Sequence, residues 1–234
     1  MTLSQAYSES FPIRGLQVLR KGNIAIYICY PSFRFRPSQA DALHVDLWLD
    51  SNNLLRDAGS YSYNTELKWL NYFNGTASHN TVQFDDRDQM PRISRFLFGN
   101  WLKTSRLETL IEDTEAVRFG AGYQDSWGAM HFRRIKLRSD LLIVEDEIAG
   151  FAKKAVLRWR LSPGEWRLES SGNNNFLVTS DMVTIAVQTT MTILRCAVVD
   201  GWEYRHYLEK TTVPVLELEV YQPGTLTTKV TWPI

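Results

Sequence analysis

The residues of this chain best suited to chemistry crowd into its first third: Gln39, Asp41, His44, Asp57, His79 and Asn80, with Arg34 and Arg36 just ahead. Two of the chain's four histidines are among them. Asp57 precedes Ala58-Gly59, where a carboxylate commonly accepts backbone N–H groups and closes a turn. His79-Asn80 opens a strand, where an imidazole serves equally as a hydrogen-bonded structural group or as a ligand. Asp, His and a third donor from a neighbouring strand would suit Zn²⁺, which takes nitrogen and oxygen ligands tetrahedrally. No HExxH and no paired CxxC accompanies them. His44 falls in Leu43–Leu47, where strand alternation turns it with Asp46 away from Leu43, Val45 and Leu47, toward the solvated face. Arg34 and Arg36 alternate with Phe33 and Phe35. Such a stripe can grip carboxylate or sulfate groups of a sugar polymer, or be an ordinary amphipathic strand.

The elements that must carry these residues are strands. Leu16–Arg20 and Ile24–Tyr30 flank Lys21-Gly22-Asn23, a hairpin signal. Residues 41–50 alternate and turn at Ser51-Asn52-Asn53. Residues 131–138 alternate, turn at Ser139-Asp140 and return. Further strand-like runs cover 155–161, 176–180, 182–188, 192–199, 215–222 and 225–232. Period-two alternation broken about every ten residues predicts an all-β, antiparallel β-sandwich with little helix. The one helical pattern is Thr65–Phe73.

The 234 residues fit a single domain of this class. Apolar residues are 44% and aromatics 12%, enough for a packed core, which excludes a disordered chain. Lys+Arg and Asp+Glu balance at 26 each, so no field attracts nucleic acid or an anionic membrane, and a polyanion must be met by a local patch. No apolar run reaches the length of a membrane-spanning helix. The N-terminus lacks the basic and apolar regions of a signal peptide, which fits a cytoplasmic chain, or a periplasmic one if it is a fragment. Cys29 and Cys196 read as buried thiols, and their spacing does not decide for or against a disulfide.

The order Arg36–Asn64 followed by Ala77–Gln89 resembles the C-terminal β-sandwich of the heparinase II/III-like polysaccharide lyases. Asp41, Asp57-Ala58-Gly59 and Ser78-His79-Asn80 match its hallmark segments, and Arg133–Gly150 is similar to a later strand pair. The resemblance implies a super-sandwich, here one domain over 1–234, that works beside an N-terminal α/α toroid of which this chain holds nothing. It implies a weak zinc site in which Asp57 and His79 fall on two ligands and Gln39 on the third, normally histidine. A further family histidine falls on Pro37. Arg34, Arg36, His44, Tyr63 and Asn80 would then meet substrate.

The expected function is one wall of a cleft for β-elimination of an acidic polysaccharide, not competent alone. The alternative is a non-catalytic carbohydrate-binding or scaffold module of surface-polysaccharide metabolism, toward which Gln39 and Pro37 incline. A free-standing cupin-like metal enzyme would need a histidine cluster on one short strand, which is missing.

Overall fold

The computed structural model describes residues 8–62, 64–172, 174–206 and 209–233. Its first sheet follows chain order. β1 (Glu9–Phe11), β2 (Leu16–Lys21), β3 (Ile24–Cys29), β4 (Val45–Leu49) and β5 (Asn52–Leu55) lie side by side, antiparallel. Gly22 turns the β2–β3 hairpin at φ +61°, a conformation glycine adopts without strain. The helical pattern becomes α1 (Leu67–Asn74), which buries Leu70 and Phe73, and a 3-10 turn at Thr76–Ser78 leads to β6 (Val82–Phe84). A small hairpin of β7 (Arg92–Ser94) and β8 (Leu97–Phe98) comes next.

From there the chain is strand after strand: β9 (Thr104–Glu112), β10 (Val117–Gln124), β11 (Met130–Leu137), β12 (Leu141–Ala149), β13 (Ala155–Arg160), β14 (Arg167–Ser170), β15 (Asn175–Thr179), β16 (Thr184–Thr189), β17 (Ile193–Tyr204), β18 (Lys210–Val220) and β19 (Gly224–Thr231). They form an eight-stranded sheet, β14-β15-β16-β19-β12-β11-β10-β9, and a four-stranded sheet, β17-β18-β13-β6. An antiparallel bridge between Leu55 and Leu161 connects the five- and four-stranded sheets at the ends of β5 and β13. One apolar cluster contains side chains of all three sheets, as expected of a large sandwich. Trp159 of β13 is fully buried and donates its indole N–H to Thr228 Oγ1 of β19 at 3.1 Å, tying one layer to the other. The all-β expectation is met. Both cysteines are free thiols.

Polar groups are built into this core. On β11, His131 and Arg133 point inward with Ile135 and Leu137; on β12, Asp146 points inward with Val144 and Ile148. Arg133 grips Asp146 through Nε–H to Oδ1 at 2.6 Å and Nη2–H to Oδ2 at 3.0 Å, and His131 Nε2 lies 2.6 Å from Oδ1. Burial alone would push Asp146 up, but Arg133 and His131 outweigh it and hold its pKa at about 2. The remaining Arg133 nitrogen, Nη1, donates to the carbonyls of Leu43 and Asn80, each at 2.6 Å. A buried ion pair in one layer thus fixes two loop carbonyls in the other.

Asn80 fills the gap left where β6 ends short of β5. Its Nδ2 donates to Val45 O at 2.8 Å and Arg56 O at 3.2 Å, and its Oδ1 accepts the Arg160 N–H at 2.6 Å. Asn80→Ala should therefore strand three buried backbone groups, at about 1–3 kcal/mol for each unsatisfied group. Denaturant unfolding is expected to show a loss of at least about 3 kcal/mol; a loss below about 1 would mean that the amide is not a structural stitch.

Candidate functional site

His44, Asp57 and His79 come together beneath the edge of the first sheet, their ligand atoms all within 4.8 Å of one another. Three different segments deliver them. Asp57 follows β5, and its Oδ1 accepts the Gly59 N–H at 2.6 Å, which is the turn expected from the sequence. His79 leaves the 3-10 turn, whose first N–H, that of Thr76, is held by Asp88 Oδ1 at 2.8 Å. His44 precedes β4 in a tight loop that the sequence pattern took for strand.

That loop explains where the alternation argument failed. Leu43 sits at φ +62°, a left-handed conformation that is costly for a bulky residue and needs support. Support comes from Leu43 N–H to Cys29 O at 2.7 Å and from Arg133 to Leu43 O. Gln89 holds both the N–H and the C=O of Ala42, and Thr81 Oγ1 donates to the same carbonyl. The reversal at Leu43 turns His44 inward, so it is 4% exposed rather than solvated.

Hydrogen bonds define the protons of the group. Asn80 N–H donates to His44 Nδ1 at 2.9 Å, so a neutral His44 ring carries its hydrogen on Nε2, the atom 3.6 Å from Asp57 Oδ2. His79 Nδ1 lies 2.7 Å from the same oxygen. Asp57 thus hydrogen-bonds His79 and faces the His44 ring without bonding it. Burial lowers the pKa of His44 to about 3, with Asp57 opposing. Burial also disfavours charge on His79, but the Asp57 carboxylate and its hydrogen bond, with Asp41 adding, raise its pKa above the ordinary value. Asp57 is pushed up by burial and pulled down further by His79 and His44, ending below the carboxylate range. The Nε2 atoms of both rings are buried without a hydrogen-bond partner.

Two imidazoles and a carboxylate are the donor types zinc selects. The hydrogens oppose tight binding. His79, whose pKa is raised, must lose its charge before its unpartnered Nε2 can ligate, and His44 frees Nε2 only by giving up its bond from Asn80 or becoming an anion.

The remaining expected residues separate. Gln39 stands outside the trio and donates to Ser60 Oγ at 3.0 Å; His44 occupies the third corner instead. Asn80 and His44 were expected to meet substrate, but both are buried and their polar atoms face the chain interior. Arg34 and Arg36 are exposed, with Phe35 between them 77% exposed. Tyr63 lies outside the described residues. Gln89, Arg133 and Asp146, which brace the site, were not singled out from sequence. The inward parity of Arg133 and Asp146 with apolar neighbours was the signal that could have found them.

Comparison with known proteins gives a consistent picture. The family profile described as heparinase II/III-like, C-terminal, matches residues 4–231. Among solved structures, the heparinase III BT4657 gene product superposes with a TM-score of 0.77 at 19% identity, covering 100% of this chain and 37% of that one. The heparan sulfate lyase HepC from Pedobacter heparinus superposes with a TM-score of 0.75 at 17% identity, covering 98% of this chain and 36% of that one. The chain therefore spans little more than a third of these proteins. No curated protein matches in sequence.

The titration of His44 yields a signed prediction. Its pKa falls from 6.5 to about 3 on folding, so its contribution to stability is complete above pH 6.5 and is lost as pH falls toward 3. The loss reaches about 1.4 kcal/mol per pH unit. His79, raised, acts oppositely: its contribution is present below 6.5 and lost as pH rises through the folded value. His44→Gln keeps an acceptor for Asn80 and removes the titration. Denaturant unfolding between about pH 7 and 5 should show a flatter pH dependence for the variant. Equal slopes would show that His44 titrates as it does in the unfolded chain.

Proposed function

The chain belongs to the heparinase II/III-like family as its C-terminal domain, and from that premise we propose that it forms one wall of a cleft in which an acidic polysaccharide is cut by β-elimination. The match over residues 4–231 is the observation that carries this reading. In β-elimination a base takes the proton α to a uronic carboxyl, a cation neutralises that carboxylate, and an acid protonates the leaving oxygen. Arg34 and Arg36 are the exposed cations of this wall, and Phe35 offers a ring between them. Asp57, with its side chain 30% exposed, is the one member of the buried trio that reaches the surface. His44 and His79 are enclosed, so they act on the wall's shape and charge rather than on sugar. The base and acid are then left to the further, helical domain that the family pairs with this one.

Zinc belongs to the same reading. Asp57 and His79, with His44 as the third donor, would hold it, and it would supply positive charge beside the cleft. Because His79 must lose its charge and His44 its Nε2 hydrogen, binding is weak and releases protons. Zinc calorimetry in buffers of different ionisation heat is expected to show that release, and His79→Ala to abolish binding. Stoichiometric zinc retained through chelator dialysis would overturn weak binding.

The second reading, a carbohydrate-binding scaffold, is favoured by the burial of both site imidazoles. Activity separates the two. Incubated alone with uronic-acid polysaccharides, the chain should release no unsaturated product, because base, acid and neutraliser must converge on one bond. Joined to a helical domain of the family it should release product; continued silence there favours the scaffold. Ultraviolet absorbance of unsaturated uronates rising with the chain alone, above a heat-killed control, would overturn the one-wall proposal.

A further inference from the structure

The segment from Asp57 to Ser60 divides two clefts. Asp57 and Gly59 line one of about 410 Å³, shared with the carboxylates Asp46 and Glu203. Ser60 lines the other, of about 430 Å³, with Arg36, Ser38, Asn74, Arg92 and Phe96. Arg36 and Ser38 also line a neighbouring hollow of about 580 Å³ that carries Arg34 and Phe35, so the two cavities adjoin. Among the described residues no carboxylate lines the Arg36–Arg92 cavity, and Asp41 is the acid of its neighbour.

The arginines are poorly neutralised. Arg36 is exposed and has no carboxylate or hydrogen-bond partner among the described residues. Arg92 is fixed by its position 4.4 Å over the Phe98 ring. Its nearest carboxylate, Asp88, is 3.8 Å from the buried Nη2, beyond hydrogen-bond distance, and already holds Thr76 N–H. A guanidinium held rigid against a ring at a cavity wall, beside a second arginine with no carboxylate partner, is placed to meet an oxyanion.

We propose that this cavity is a subsite for an anionic group, carboxylate or sulfate, of a hexuronate-containing polysaccharide. Arg36 and Arg92 take the oxyanion. Asn74, Ser38 and Ser60 face the sugar hydroxyls, and Phe96 lies against the ring. Two adjoining hollows suit a polymer better than a single small anion. Arg92 reaches the site group through Asp88, which holds the 3-10 turn before His79, so this subsite and the buried trio are kept in register. The inference rests on the polysaccharide reading above and adds Arg92, Asn74 and the cavity to it.

Calorimetry of the chain with size-defined hexuronate oligosaccharides, one set sulfated, one unsulfated and one neutral, tests it. Arg36→Gln and Arg92→Gln should each weaken binding about tenfold, the usual effect of losing one charge-assisted contact. Arg138→Gln, on the β11–β12 turn, removes the same charge elsewhere and should leave binding unchanged. Arg36 is exposed, so its variant tests the subsite even if Arg92→Gln folds poorly. If the sulfated set alone binds, the subsite is read as a sulfate site; if both anionic sets bind equally, as a carboxylate site. Wild-type binding that neither arginine variant weakens, or that the neutral set matches, overturns the subsite and leaves the lyase-wall reading standing. Wild-type chain that binds none of the three sets overturns both.

Discussion

One side chain, Asn80, closes the seam on which this fold depends. A strand ladder cannot simply stop inside a core, because each unpaired backbone group left there is costly. Where β6 ends, the Asn80 carboxamide takes over, accepting from Arg160 and donating to Val45 and Arg56. Its own N–H goes to His44 and its own carbonyl to Arg133. The amide therefore joins the first sheet to the second, and the same residue sets the tautomer of an imidazole in the candidate site. Structure and chemistry share a single group here, which is why neither can be altered alone.

The buried pair Arg133–Asp146 has a comparable double role. Such a pair adds little net stability over apolar residues of the same volume, because both charges lose water. It earns its place by direction. An arginine whose Nη1 donates to two carbonyls can hold Leu43 in a backbone conformation that the residue disfavours. That conformation turns His44 toward Asp57. The distance from ion pair to imidazole is covered by two covalently linked residues and one hydrogen bond, a short and stiff relay.

How much of this was legible before folding depends on range. The hairpin at Gly22, the paired strands around Ser139-Asp140 and the turn at Asp57 were readable, because each rests on residues a few positions apart. The approach of Asp57 and His79 was foreseen through family resemblance. The burial of His44 was not, because alternation assumes an unbroken strand and Leu43 breaks it. β9 and β10 were also missed: β9 is a sheet edge with charges on both faces, and β10 relies on Gly120 and Gly122. A Cβ at Gly122 would sit 2.7 Å from the Phe132 ring, so that glycine is there to be small rather than to turn the chain. Nothing in short-range pattern announces either fact. Nor does it announce Asn80 as a stitch, since its partners lie 24 to 80 residues away.

Those separations bear on the order in which the molecule can form. The contact from Arg133 to Leu43 spans 90 residues, and that from Arg160 to Asn80 spans 80. The first sheet could pair locally soon after collapse, but its seam with the rest waits for β13. Closing loops of that length costs entropy before any contact repays it, and topologies dominated by such contacts fold slowly. The hydrogen bonds of the imidazole–carboxylate group itself span 22 to 36 residues, while its bracing from Arg133 and Arg160 depends on the longer ones. Until β11 has docked, Leu43 is held left-handed only through Cys29 and through the Gln89 and Thr81 bonds to Ala42, so the loop that turns His44 inward is braced from one side alone.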